Sequence, residues 1–496
     1  MSRVSRFALL SVLLLAPVER ALAHGSLKSS APAANERLTV VPREIRLTFT
    51  EAPALAFSRL ELRGPGGAAV ALSPLRVAAD SRRALVASIE APLAAGTYTV
   101  TWQIAGDDGH PVRGQYAFTV AEGAPAAPPP GTPASGEPQT PTQTPTQTPT
   151  QTPTQTPTPA APGAADSAMH HDQASMPSAS SFDAESPAYA AIRALLYLGL
   201  LMAIGAVAFQ AAVLPLLIRK RGPDAPMLVA SRHGAARIGL LGALIVGGAA
   251  LLRLGAQSVA MHPPDATFDP QLVRAMLTDT VWGRGWLLQV LATVVAIVGF
   301  RTAIRGQGGW GLAAFGVVVL AVTPALSGHA AATPGRAGLA VVADTLHVIG
   351  AGGWLGSLLV VVAAGVPAAL RLPDDAREAS VADLFNAFSP TALAFAGLVA
   401  STGVFTAWQH IPDVAALWQS NYGRTLLVKL AILSVVALTG AYNWLRVKPT
   451  LGTAAGTARM QRSARTELVV GVLVIIVTAV LVATPTPMDM ASMSGM

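Results

Sequence analysis

The residues best suited to chemistry lie in two groups, one near the N-terminus and one deep in an apolar region. Asp108-Gly109-His110 follows the alternating run Tyr98 to Ile104. Asp108 and His110 are two apart, so in extended backbone both side chains point to one face. His24 follows Ala21-Leu22-Ala23, a small-residue cleavage site. Cleavage after Ala23 makes His24 N-terminal, where its α-amine and imidazole can serve one metal ion. With the His110 nitrogen and the Asp108 oxygen the set is three nitrogens and one oxygen. A tetragonal set of that kind suits Cu(II). From the residues alone two other readings stay open: Asp-Gly-His as a surface turn, and an uncleaved N-terminal anchor, which would remove the α-amine.

The second group is His262, His329, His347 and His410, all expected toward one side of a set of apolar spans. Asp344 and His347 are i,i+3 and share a helix face, and Trp354 lies seven residues further on, near that face. An aspartate in hydrocarbon costs about 2.5–3.5 kcal/mol on insertion scales, so Asp344 should face a partner or a wet cavity. Three roles fit: a metal ligand with its supporting carboxylate, a proton relay, or a structural Asp–His hydrogen bond. Arg253 and Lys429 are expected to snorkel toward the span ends, Glu467 to pair with a loop arginine, and His233 to be a solvated loop residue. The C-terminal Met488, Met490, Met493 and Met496 are thioethers suited to Cu(I). Met169, His170, His171 and Met176 form a further adaptable cluster before the first span.

These residues require particular elements to hold them. The chain has 496 residues, no Cys, 52% hydrophobic and only 12% charged residues. A soluble domain carries about 25% charged residues, so a wholly soluble enzyme is excluded. The absence of Cys excludes disulfide frameworks, Cys–zinc sites and thiolate copper sites. The net charge of +7 sits in short loops between apolar runs, the pattern of membrane orientation rather than of nucleic-acid binding.

Residues 1–23 read as a signal peptide, with Arg3 and Arg6 before the apolar run Ala8 to Val18. Residues 24–120 read as a small all-β sandwich, with alternating runs at Ile45 to Phe49, Leu60 to Leu62 and Tyr98 to Trp102, and a β-rich run at Tyr116 to Val120. Residues 121–187 read as a Pro/Thr/Gln-rich disordered linker repeating Gln-Thr-Pro-Thr. Residues 188–485 carry eight expected transmembrane helices, at about 188–218, 236–258, 283–303, 308–327, 338–365, 384–409, 425–446 and 467–485, and residues 486–496 a Met-rich tail. Arg219, Lys220, Arg221, Arg232, Arg237, Arg301, Arg305, Arg371, Arg377, Arg446, Lys448, Arg459, Arg462 and Arg465 fall in alternate loops. That asymmetry puts the odd-numbered loops in the cytoplasm and the sandwich, linker and tail outside.

Residues 24–120 resemble the periplasmic copper-binding CopC family, through His24-Gly25-Ser26-Leu27, Ser30-Ala31-Pro32 and Asp108-Gly109-His110-Pro111 to Gly114. The resemblance implies a Greek-key β-sandwich holding Cu(II) through His24, Asp108 and His110. No Met lies between residues 24 and 120, so the Met-loop Cu(I) site of some relatives is not expected there. Residues 188–485 resemble the CopD family through Ser327-Gly328-His329-Ala330, Leu346-His347, Gly353-Trp354-Leu355-Gly356 and Tyr422-Gly423-Arg424 to Lys429. Arg465 to Leu468, at the start of span 8, matches as well.

The two resemblances imply a multi-pass bacterial protein that moves copper across, or handles it at, the inner membrane, without fixing the direction. Capture of Cu(II) in the periplasm followed by copper uptake is the expected function. Cu(I) is expected in the membrane part and tail. Periplasmic sequestration without net import is the alternative. Membrane lipid and a periplasmic copper chaperone are the expected partners. No nucleotide-binding motif is present, so ATP-driven pumping is not expected; nucleic-acid binding and enzymatic function are not expected either. A copper monooxygenase is disfavoured because Asp108 would occupy the position oxygen needs. A bis-His haem is disfavoured because His347 is the only deeply placed histidine.

Overall fold

The computed structural model describes residues 27–105, 111–125, 186–262, 266–306, 308–326, 337–484 and 486. The signal, most of the linker and most of the tail lie outside the described residues.

The N-terminal domain is a β-sandwich. One sheet runs β1 (Leu27–Ala31), β3 (Glu44–Phe49), β7 (Ser81–Ser88) and β6 (Arg76–Ala78), all antiparallel. The other runs β2 (Arg37–Leu38), β9 (Pro111–Val120), β8 (Gly96–Ala105), β4 (Arg59–Arg63) and β5 (Ala69–Val70), with only the β2–β9 pair parallel. The period-two pattern is what turns these segments inward. Ile45, Leu47 and Phe49 of β3 face Tyr98, Val100, Trp102 and Ile104 of β8, and all are buried. Phe49 and Trp102 meet edge to face at 5.3 Å. Gly114 of β9 lies under the Trp102 ring, where a Cβ would overlap it. The long β8–β9 hairpin keeps register from Gly96↔Val120 to Ala105↔Pro111, so it delivers its end residues at a fixed place.

The C-terminal part is a helical bundle, consistent with a polytopic membrane domain. Among the described residues seven helices are long and apolar enough to span a bilayer. They are α1 (Pro187–Arg221), α2 (Pro226–Met261), α4 (Val281–Ile304), α6 (Gly338–Leu370), α7 (Asp374–His410), α8 (Asn421–Thr450) and α9 (Ala454–Leu481). A short helix α3 (Pro270–Asp279) precedes α4. The expected fourth span is the apolar helix α5 (Trp310–Leu326), 17 residues long, which rises about 25 Å. Leu251, Leu291, Val404 and Leu438 are 63–72% exposed, the surface a lipid-facing bundle presents.

Several helices run past their expected ends. α2 begins at Pro226 and α9 at Ala454, so Arg232, His233, Arg237, Arg459, Arg462 and Arg465 sit on helical extensions rather than in loops. Pro226 at the first turn and the Thr453 hydroxyl, accepting from the Gly456 amide at 3.1 Å, set those starts. Arginine is a good helix former, so nothing local stops the turns. His233 accordingly packs its ring nitrogen Nδ1 on the Val229 carbonyl at 3.0 Å, one turn back.

α1 is the hub. Gly199 faces Gly242 of α2, where an added Cβ would lie 2.7 Å from the opposing carbonyl oxygen in either direction. On its other side Gly205 abuts Gly356 of α6 backbone to backbone. Small residues let helix backbones approach where no hydrophobic force between helices exists. Gly356 closes a π-turn, Gly352–Gly356, and α1 has its own at Phe209–Val213. At one end of the bundle Asp383 of α7 takes Arg221 at 2.6 Å, and Lys220 as well.

Gly205→Ala should therefore force α1 and α6 apart. We expect a loss of about 1–3 kcal/mol, read as a lower thermal unfolding midpoint of the detergent-solubilised protein. Gly255→Ala, whose Cβ would meet open space, should leave the midpoint unchanged.

Candidate functional site

The expected Cu(II) ligands His24, Asp108 and His110 lie outside the described residues, as do His329, the linker residues Met169, His170, His171 and Met176, and the tail residues Met488, Met490, Met493 and Met496. The strand ends that flank residues 106–110 are described. Ala105, the last residue of β8, is fully buried, in one cluster with Phe57 of the sandwich and Ala250, Met261, Met276, Trp282 and Trp286 of the membrane domain. The end of the sandwich at Ala105 and Phe57 thus rests on the bundle.

Three side chains make this junction polar as well as apolar. Arg59 of β4 and Gln103 of β8 donate to the Met261 carbonyl at 3.3 and 3.5 Å. Arg113 of β9 donates to the Ala260 carbonyl at 3.3 Å and to Gln103 Oε1 at 3.0 Å. The last carbonyls of a helix have no partner within it, and the negative end of the helix dipole favours guanidinium groups. The sandwich thereby caps α2. Trp286 of α4 braces α2 about three turns further in, donating to the Ala250 carbonyl at 2.8 Å.

His262 follows α2 directly and is 4% exposed. Its Nδ1 lies 3.0 Å from the Thr267 carbonyl and 3.0 Å from Ser258 Oγ, and Ser258 Oγ donates to the same carbonyl. A carbonyl only accepts, so Nδ1 carries the proton and Nε2 keeps its lone pair. The Phe57 ring covers His262 at 5.6 Å between centroids.

Consecutive spans alternate in direction, so the sandwich-side ends are the starts of α1, α4, α6 and α8 and the ends of α2, α5, α7 and α9. The interior polar groups gather in this half. Asp344 and His347 of α6 are half-buried. Thr402 of α7 spends its hydroxyl proton on the Leu398 carbonyl at 2.7 Å, so its oxygen accepts from His347 Nδ1 at 3.0 Å. Asp344 interacts electrostatically with Lys429 of α8 and His410 of α7. His410 bonds the Thr406 carbonyl at 2.8 Å through Nδ1, and its ring lies 6.1 Å from that of Tyr422. Trp354 packs on the bundle core two turns beyond His347, inside the π-turn, and does not join this group.

Two expectations are corrected here. Arg253 does not snorkel: it is 6% exposed, donates to Gln289 Oε1 at 3.0 Å and lies 5.8 Å from the Trp282 ring. A partner inside the bundle was available, so the side chain turned inward. Glu467 does not pair with a loop arginine: buried, it accepts from Asn443 Nδ2 at 2.6 Å. Because α9 starts at Ala454, Glu467 is three turns inside it, facing α8.

Sequence reasoning missed Arg193 and Gln289. Arg193 is a charge six residues into an apolar helix; it lies over the Tyr189 ring at 4.8 Å and interacts electrostatically with Arg253. Gln289, a lone amide in an apolar helix, carried the signal of a buried partner. The docking residues Phe57, Arg59, Gln103 and Arg113 carried no such signal, since nothing local separates them from other sandwich surface residues.

The family model described as CopC domain matches residues 27–121. Copper resistance protein D-like, N-terminal domain, matches residues 182–339, and Copper resistance protein D matches residues 382–481. The chain is 24% identical over 476 residues to "Copper transport protein CutJ" of Bacillus subtilis, covering 95% of this chain and 75% of that one. It is 35% identical over 126 residues to "Copper resistance protein C" of Escherichia coli, covering 24% of this chain and 99% of the relative. It is 28% identical over 288 residues to "Copper resistance protein D" of Pseudomonas syringae pv. tomato, covering 57% and 89%.

Arg253→Met should leave the Gln289 amide buried without its donor, at a cost of about 1–3 kcal/mol. The double variant Arg253→Met/Gln289→Leu should recover most of that loss. Detergent melting curves of the two variants check the ordering.

Proposed function

The chain belongs to the CopC–CopD copper resistance and transport family, and from that premise we propose that it captures Cu(II) outside the cytoplasmic membrane and carries copper into the cell. Copper is the cargo. His24, Asp108 and His110 hold Cu(II) in the sandwich by the three-nitrogen, one-oxygen set that their types allow. The sandwich and tail lie on the periplasmic side, in keeping with the basic residues at the opposite helix ends, such as Arg219, Lys220 and Arg221 of α1.

One observation carries import over simple sequestration. Asp344, His347, His410 and Lys429 gather inside the sandwich-side half of the bundle, directly in the domain on which the sandwich docks. A membrane anchor has no need of such groups, each of which costs several kcal/mol to insert. Arg253 is engaged by Gln289, and α6 and α7 offer Asp344, His347 and His410 to a passing copper ion. Imidazole and carboxylate suit copper on the way in. His329, the thioethers Met488, Met490, Met493 and Met496, and the cluster of Met169, His170, His171 and Met176 supply further ligands on the same side. A periplasmic chaperone would load the sandwich, and the surrounding lipid completes the set of partners. Sequestration outside the membrane is the competing reading. It predicts no change, or a rise, in cytoplasmic copper when the protein is lost.

The test is a Cu(I)-responsive cytoplasmic reporter in cells with the intact gene, a deletion, and His347→Ala, grown under copper limitation. We expect the deletion to lower the signal and His347→Ala to lower it to the deletion level. An unchanged or raised signal, with copper-sensitive cells, sinks the import reading. In parallel, His110→Ala in the purified chain should remove one equivalent of Cu(II) with a nitrogen-rich paramagnetic resonance spectrum.

A further inference from the structure

Beneath the docked sandwich lies a histidine whose chemistry the capping role does not use up. His262 is locked in the Nδ1–H form by the Thr267 carbonyl, and its Nε2 is buried with no hydrogen-bond partner among the described residues. Buried acceptors are normally satisfied. A histidine that gives its other ring N–H to a backbone carbonyl and presents a bare Nε2 has the orientation of a metal ligand. Next to it in sequence is Met261, 1% exposed, and Met276 of α3 is fully buried in the same cluster. That cluster is closed by Phe57, Trp282 and Trp286, an apolar wall that keeps water away. One imidazole nitrogen and two thioether sulfurs make a soft donor set.

We propose that His262 Nε2 and the thioethers of Met261 and Met276 form a soft-metal site, selective for monovalent Cu(I), at the underside of the sandwich. Thioether and imidazole suit Cu(I), whereas the oxygen-containing set expected in the sandwich suits Cu(II). The site rests on the copper-cargo reading above and deepens it, because it lies between the capture domain and the spans. Phe57 belongs to the sandwich, and the other walls belong to the membrane domain. The site is complete only while the two are docked.

Ag(I), a redox-inert probe of the same charge and softness, tests this in the full-length protein in detergent. Leu replaces Met with little change in volume or polarity, so the variant Met261→Leu/Met276→Leu should keep the wild-type melting curve and its Cu(II) capacity. It should bind one fewer Ag(I) per chain than wild type in equilibrium dialysis. The tail and linker thioethers contribute equally to both proteins and cancel. His262→Gln should lower the affinity of that same equivalent at least tenfold. X-ray absorption of the Cu(I)-loaded protein should lose sulfur scattering in the double variant. An unchanged Ag(I) count and affinity in both variants overturns the site. If the double variant melts early, the His262→Gln result decides alone. Failure of the import reading would appear elsewhere, as an unchanged cytoplasmic reporter, and would leave the Ag(I) difference intact.

Discussion

The last turn of α2 is the interaction on which the working arrangement depends. A helix ending at the membrane surface leaves its final carbonyls without donors, and here the donors come from another domain. Arg59, Gln103 and Arg113 sit on three different strands of one sheet, β4, β8 and β9. The register of that sheet therefore fixes their spacing, and their spacing fixes how the sandwich meets the bundle. The apolar cluster around Phe57 and Ala105 adds area to the junction, while the three hydrogen bonds give it direction.

Inside the bundle a second constraint governs every polar side chain. Lipid offers no hydrogen bonds, so polar groups are driven to partners inside the protein, on their own helix or on a neighbouring one. Arg253 finds Gln289, Asn443 finds Glu467, and His347 finds Thr402. These pairs tie α2 to α4, α8 to α9 and α6 to α7. Close glycine contacts tie α1 to α2 and α6. The core is thus held by short-range contacts of specific shape, with polar pairs fixing which helix lies beside which. Asp344 and Lys429, which interact electrostatically, stand in the half of the bundle nearer the sandwich.

Much of this was legible beforehand because it rests on periodicity. The inward faces of β3 and β8, the long apolar runs and the basic clusters are all local patterns. The family was legible in short motifs such as Asp108 to Gly114 and Gly353 to Gly356. What escaped depended on partners distant in sequence. Arg253 could be seen as a charge in an apolar run, but whether it would snorkel or turn inward depended on Gln289, 36 residues away. The i,i+3 spacing of Asp344 and His347 described one helix face correctly, yet the partner of His347 came from α7. Helix starts at Pro226 and Ala454 ran beyond the hydropathy boundary because turns propagate through arginine once capped. The docking of the sandwich had no local trace at all. It requires three residues from three strands to coincide with a helix end about 150 to 200 residues further along.

That docking has a kinetic meaning. Two separate proteins would meet at a rate set by both their concentrations, and a secreted partner would be diluted outside the cell. Joined in one chain, the two domains meet in a first-order process whose rate is independent of expression level. Their ratio is fixed at one to one. Under the proposed import, copper transfer across the junction would compete only with release of the ion from the sandwich. Its yield would be a property of the single molecule rather than of the population.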